Sequence, residues 1–168
     1  MARSFHVHFD SSAELGDVFA AFCDRSYWEA RLATFSNGTA ALGALDVDGE
    51  GTVTVDVTLR LLKDRLPRVV TQLRSGDLEM RRRESWHVGE DGLLRGDVAA
   101  TMSGAPFSLT GRAVIDPTDH GSKLSYDATV EVRIPLVGGR IESYIAAQAG
   151  DEVGAIHRFT GDWIASNS

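Results

Sequence analysis

The sequence predicts an α+β fold: a curved antiparallel sheet of about seven strands around a long C-terminal helix, with two short helices after the first strand. Three observations predict it. Several stretches between residues 52 and 134 alternate apolar with polar side chains, the period of half-buried strands, and turn signals separate them. From Leu136 to Ala165 the pattern is helical, and roughly 30 residues at ~1.5 Å of rise span ~45 Å. Consecutive hairpins leave one apolar sheet face to be covered, and only this terminal segment is long enough to cover it.

The elements follow in order. Phe5, Val7 and Phe9 share one face of an opening strand, and His6 and His8 share the other. Ser11 is read as the cap of the next helix, with Glu14 at capping-box spacing. Leu15, Val18, Phe19 and Phe22 give that helix a single buried stripe. Asp24 to Ala33 reads as a second short helix carrying Tyr27, Trp28 and Leu32. From about residue 36 the period shortens to two. Val53, Val55, Val57 and Leu59 alternate with polar neighbours; Leu78, Met80, Trp86 and Val88 share a side. Leu94, Val98, Ala100 and Met102 form the next face, and Phe107, Leu109, Ala113 and Ile115 another. The last strand sets Leu124, Tyr126, Ala128, Val130, Val132 and Ile134 against polar alternates. Turns fall at Asp48-Gly49, Asp91-Gly92, Gly104-Ala105-Pro106 and residues 116–121.

One domain spanning residues 1–168 is expected, a length that buries roughly 70% of the unfolded surface. The net charge of −7 argues against a general affinity for nucleic acid or anionic membranes. No apolar run approaches the ~20 residues of a membrane span, so integral membrane association is not expected. Residues 1–6 lack the apolar stretch of a signal peptide, and a cytoplasmic location is expected. Cys23 is the only cysteine, read as a packed, inert thiol.

In its order of elements the chain resembles the START-like (SRPBCC) superfamily over nearly its whole length. This is the helix-grip fold of lipid-transfer START domains, birch-pollen-type allergens and polyketide cyclases. The resemblance is carried by Phe5-His6-Val7-His8-Phe9-Asp10-Ser11-Ser12 leading into a helix with Val18-Phe19, and by Gly138-Gly139-Arg140-Ile141-Glu142 running to Trp163. In detail the chain is most similar to an uncharacterised bacterial domain-of-unknown-function branch. The resemblance implies a hydrophobic ligand cavity between sheet and helix, and no particular activity. Leu61 to Leu73 exceeds what a hairpin needs; Leu66, Val69, Val70 and Leu73 fit one apolar stripe, read either as a mobile lid or as a helix closing the core.

Polar residues on inward faces are the candidates for chemistry. Strand parity turns Arg82 and Glu84 inward with Met80 and Trp86. A rotation of ~100° per residue gathers Ile141, Ile145, Gln148, Glu152, Ile156, Phe159 and Trp163 on one helical stripe. Gln148 and Glu152 thus interrupt an apolar face, and Glu152 or Glu84 is expected to pair with Arg82 across the sheet–helix gap. Arg82, Glu84, Tyr126, Gln148 and Glu152 are the expected polar ligand contacts; Met80, Trp86, Val98, Met102, Leu109, Ile145 and Ile156 are the apolar ones. Arg81 and Arg83 read as a solvated strand face.

No catalytic residue, cofactor or metal is assigned. His6 and His8 lack a third ligand, and His87, His120 and His157, the last placed on the outer flank of the helix, form no triad. Gly138-Gly139 alone makes no phosphate loop. The leading reading is a carrier or sensor of a hydrophobic small molecule: fatty acyl, isoprenoid, sterol-like or polyketide. The alternatives are a cyclase- or hydratase-like enzyme using Glu152, and a co-chaperone-like protein-interaction module.

Overall fold

The computed structural model describes residues 2–62, 68 and 78–168. Strand β1 (Arg3–Ser11) precedes helices α1 (Leu15–Phe22) and α2 (Arg25–Ala33). Six strands follow: β2 (Gly38–Val47), β3 (Val53–Leu61), β4 (Leu78–Val88), β5 (Leu94–Met102), β6 (Ala105–Thr118) and β7 (Gly121–Val132). Helix α3 (Gly138–Asn167) comes last. The seven strands make one antiparallel sheet in the order β1-β7-β6-β5-β4-β3-β2, the predicted architecture. The reading of residues 61–73 as lid or closing helix falls, apart from Leu61, Leu62 and Arg68, outside the described residues.

Alternation decides which face of each strand is covered. Val53, Val55 and Val57 of β3, Leu94, Val98 and Ala100 of β5, and Leu124, Tyr126, Ala128, Val130 and Val132 of β7 are all buried. In β4 the pairing with β3 and β5 runs without interruption past Arg81-Arg82-Arg83, so Arg82 keeps its inward parity. Val88 does not follow the expectation: it is the last residue of β4 and is 42% exposed.

Two local expectations are corrected. The capping box does not form: Glu14 occupies the N-cap of α1 without a side-chain bond, and Ser11 remains in β1, paired with Ser122. Ser11 Oγ instead accepts the Ala13 N–H at 3.1 Å. Sheet pairing holds the chain extended too far for the helix to start at Ser12. Helix α2, by contrast, is capped by Asp24, which accepts the Ser26 N–H at 2.8 Å.

The second correction is His157, which is buried rather than on an outer flank. Helix α3 has two working faces. Gly150, Gly154 and Gly161 lie against β1: a Cβ on Gly154 would come within 2.8 Å of the Phe9 ring. His157 sits in that glycine row, its ring 6.5 Å from Phe9. At the start of α3, the Glu142 Oε2 accepts the Val132 N–H at 2.8 Å and ties the helix to the end of β7.

The interior has two unequal parts. Beneath α1, α2 and the second half of α3 lies a filled aromatic core of Phe22, Tyr27, Trp28 and Trp86, joined by Phe159 and Trp163. Tyr27 and Trp28 have no exposed surface. Thr160 Oγ1 donates to the Ile156 carbonyl, so the Tyr27 hydroxyl donates to Thr160 at 2.7 Å and locks α2 to α3. Beneath the first half of α3, a smaller cluster of Ala100, Phe107, Val130, Val132 and Ile141 borders open space. No helix among the described residues is long and apolar enough to cross a membrane.

Candidate functional site

The open space is a pocket of about 310 Å³ between the sheet and the first half of α3. That volume is at the low end of small-molecule sites, which run from ~300 to ~1,000 Å³. Its floor comes from inward residues of β3 to β7 and its roof from α3, which contributes Ile141, Tyr144, Ile145, Gln148, Ala149, Glu152, Val153 and Ile156. Leu61 and Leu78, where the described chain leaves β3 and enters β4, both stand on its wall.

The candidate residues divide by where they lie along their strands. Met80, Met102, Leu109, Ile145 and Ile156 line the pocket, as do Arg82, Tyr126, Gln148 and Glu152. Trp86, Val98 and Glu84 do not. Trp86 stacks on Phe22 with ring centroids 4.6 Å apart and belongs to the filled core, as does Val98. Parity puts all these residues on the covered face, but α1 and α2 fill one end of it, so only the residues at the other end face open space.

Glu84 stands at the boundary between the two. It is 1% exposed, and its Oε2 accepts from Arg31 Nη2 at 2.9 Å while Oε1 accepts from Trp86 Nε1 at 3.0 Å. Arg82 Nε lies 3.0 Å from the same Oε2, along the strand and not across the gap. The expected pair therefore forms between neighbours on one strand face, and among the described residues Glu152 takes no part in an ion pair. Burial alone would push the Glu84 carboxyl up. The charges of Arg31 and Arg82 and the hydrogen bonds from Trp86 and Arg31 outweigh it, so Glu84 stays below its ordinary range and ionised.

Arg31 is the site residue that sequence reasoning missed. Its guanidinium lies 4.5 Å from the centre of the Trp28 ring and is buried with Glu84. A signal existed: Arg31 follows Tyr27 and Trp28 at i+4 and i+3, on the face of α2 that those aromatics bury.

The remaining polar groups face the pocket directly. Tyr126 crosses the sheet over Gly111, where a Cβ would lie 2.4 Å from the Tyr126 Oη; only glycine admits the ring there. Desolvation raises the Tyr126 phenol above its ordinary range, with Arg82 pulling the other way. Glu152 has accessible surface and lines the pocket, yet its apolar surroundings desolvate the carboxyl and raise its pKa against the pull of Arg82. Among the described residues no group of three His, Cys, Asp or Glu could hold a metal ion.

A family described as "Protein of unknown function (DUF2505)" matches residues 5–164. The chain belongs to that family. It is 37% identical to the uncharacterized protein Rv0481c of Mycobacterium tuberculosis over 174 aligned positions, covering 99% of each chain, and equally to Mb0491c of Mycobacterium bovis. Among solved structures, this DUF2505 chain resembles TTHA0849 from Thermus thermophilus, with a TM-score of 0.58 at 14% identity over 100% of this chain and 99% of that one. It also resembles norcoclaurine synthase from Thalictrum flavum in complex with dopamine and hydroxybenzaldehyde, with a TM-score of 0.55 at 12% identity over 100% of this chain and 89% of that one. These likenesses establish the helix-grip fold.

Proposed function

We propose that this protein binds, carries or senses a hydrophobic small molecule in the pocket under the first half of α3. The observation that carries the reading is the pocket itself: walls of Phe5, Leu59, Met80, Met102, Phe107 and Leu109, with a few polar groups converging at one place. Small-molecule sites are built this way, with apolar contacts supplying affinity and a few polar groups setting orientation. Arg82, Tyr126, Gln148 and Glu152 would orient the guest. Glu84 would act through Arg82, holding its guanidinium in place without touching the ligand. That a norcoclaurine synthase of the same fold is found with dopamine and hydroxybenzaldehyde supports the use of this scaffold for small guests.

The test is displacement of a neutral apolar fluorophore, N-phenyl-1-naphthylamine, by straight-chain alcohols of increasing length. Each added methylene is expected to tighten binding by about fourfold until the pocket is full. Ala149→Trp, which puts a large ring into the roof, is expected to abolish the signal while the protein stays folded. The reading fails if the fluorophore does not bind and native mass spectra of the purified protein show no apolar passenger.

A further inference from the structure

At the polar end of the pocket, only one of two guanidiniums has a hydrogen-bonded counterion. Glu84 has two oxygens, and Arg31 and Trp86 take one hydrogen bond to each. Arg82 Nε is close to Oε2 but off the line of a hydrogen bond, and this buried nitrogen has no other acceptor among the described residues. Two guanidiniums therefore share one carboxylate, leaving Arg82 without a hydrogen-bonded counterion beside apolar walls that screen its charge poorly. Among the described lining residues Arg82 is the only cation and Glu152 the only carboxylate, and no ion pair joins them.

We propose that the pocket selects apolar molecules headed by a single carboxylate, received by the Arg82 guanidinium and the Tyr126 hydroxyl. The proposal deepens the ligand-binding reading above and rests on it. A carboxylate supplies the counterion that Arg82 lacks and an acceptor for its planar guanidinium donors. A dianion brings more charge than Arg82 answers, a cation faces Arg82, and a neutral head leaves Arg82 without a counterion. Glu152 must carry a proton when the guest is bound, because two carboxylates at one guanidinium repel. Desolvation in the pocket raises its pKa, which eases that protonation. Among the described residues, the charged and titratable groups on the elements packed against this face of α3 include Arg82 and Glu84 of β4, Tyr126 of β7, and Tyr27 and Arg31 of α2. Glu84 is held ionised by its two arginines, so Glu152 is the group that takes up the proton.

Calorimetric titration with three probes of equal apolar length, decanoate, decan-1-ol and decyltrimethylammonium, tests this at neutral pH. Decanoate is expected to bind at least about tenfold more tightly than decan-1-ol, the worth of one charge-assisted hydrogen bond. Repeating the titration in buffers of different ionisation enthalpy is expected to show proton uptake with decanoate alone. Glu152→Gln is expected to tighten decanoate and remove the uptake, and Arg82→Met to erase the preference for decanoate over decan-1-ol. If decan-1-ol or the ammonium probe binds as tightly as decanoate in the unaltered protein, the carboxylate preference is overturned and the apolar pocket stands. If none of the three binds, both readings fall.

Discussion

At Glu84, two arginines and an indole compete for one buried carboxylate. Replacing hydrophobic neighbours with such a cluster adds little stability, but breaking it strands charge in a place water does not reach. Glu84→Gln is expected to cost about 3–5 kcal/mol in urea unfolding, because Arg31 and Arg82 are then left facing each other without their counterion. A loss below about 1 kcal/mol, the worth of an exposed pair, would mean that the arginines find solvent. His157 carries a prediction of the opposite kind, about pH. Its Nε2 is buried with no hydrogen-bond partner among the described residues, and desolvation holds the imidazole below its ordinary range against a weaker pull from Asp10. The unfolded chain takes up a proton near pH ~6.5 and the folded chain only at lower pH. In that window the unfolded state binds more protons, so stability drops as pH falls through it. His157→Gln is expected to flatten this part of the profile; equal losses in both proteins between about pH 7.5 and about pH 5 would refute it. Much at this scale could be read from parity: a strand alternates strictly, so Arg82 and Glu84 had to turn inward together. Arg31 escaped because a helical stripe is read from apolar residues, and an arginine counts as its polar side even when its stem and guanidinium cover an indole.

Among elements, α3 makes the most exacting contact. Glycine inside a helix normally costs about 1 kcal/mol relative to alanine. In the row against β1 that cost is accepted because the backbone must approach Phe9 closely. Gly154→Ala is therefore expected to destabilise by about 1–3 kcal/mol through overpacking on the Phe9 ring. Gly16→Ala in α1, where an added Cβ meets nothing within 4 Å, is expected to stabilise by about 0.5–1 kcal/mol. Thermal melts of the two variants give opposite signs if the close approach is real, and the same sign if it is not. The extent of α3 and its pocket-facing stripe were readable because 30 residues of one periodicity average out local accidents. Its second face was not: a row of glycines carries no hydrophobic signal, so His157 within it passed for a surface residue. The start of α1 was misread for a different reason. Capping residues compete with strand pairing for the same backbone, and the pairing of Ser11 with Ser122 lies far away in the chain.

Across the whole molecule, one sheet face serves two purposes, a filled aromatic end and a hollow end. Alternation says which face a residue occupies, but not how far along the strand the covering helices reach. That is why Trp86 and Val98 were grouped with Met80 and Met102, although each pair belongs to a different end. The topology has another consequence. The hydroxyls of Ser4 and Thr129 meet at 2.9 Å although they are 125 positions apart, because β1, made first, pairs with β7, made last of the strands. On the ribosome β1 must wait for nearly the whole sheet to emerge, and the sheet's greasy side must wait longer still for α3. Closure is therefore a late, long-range event, and a nascent chain stalled before it exposes both an unmatched strand and a sticky surface to its neighbours.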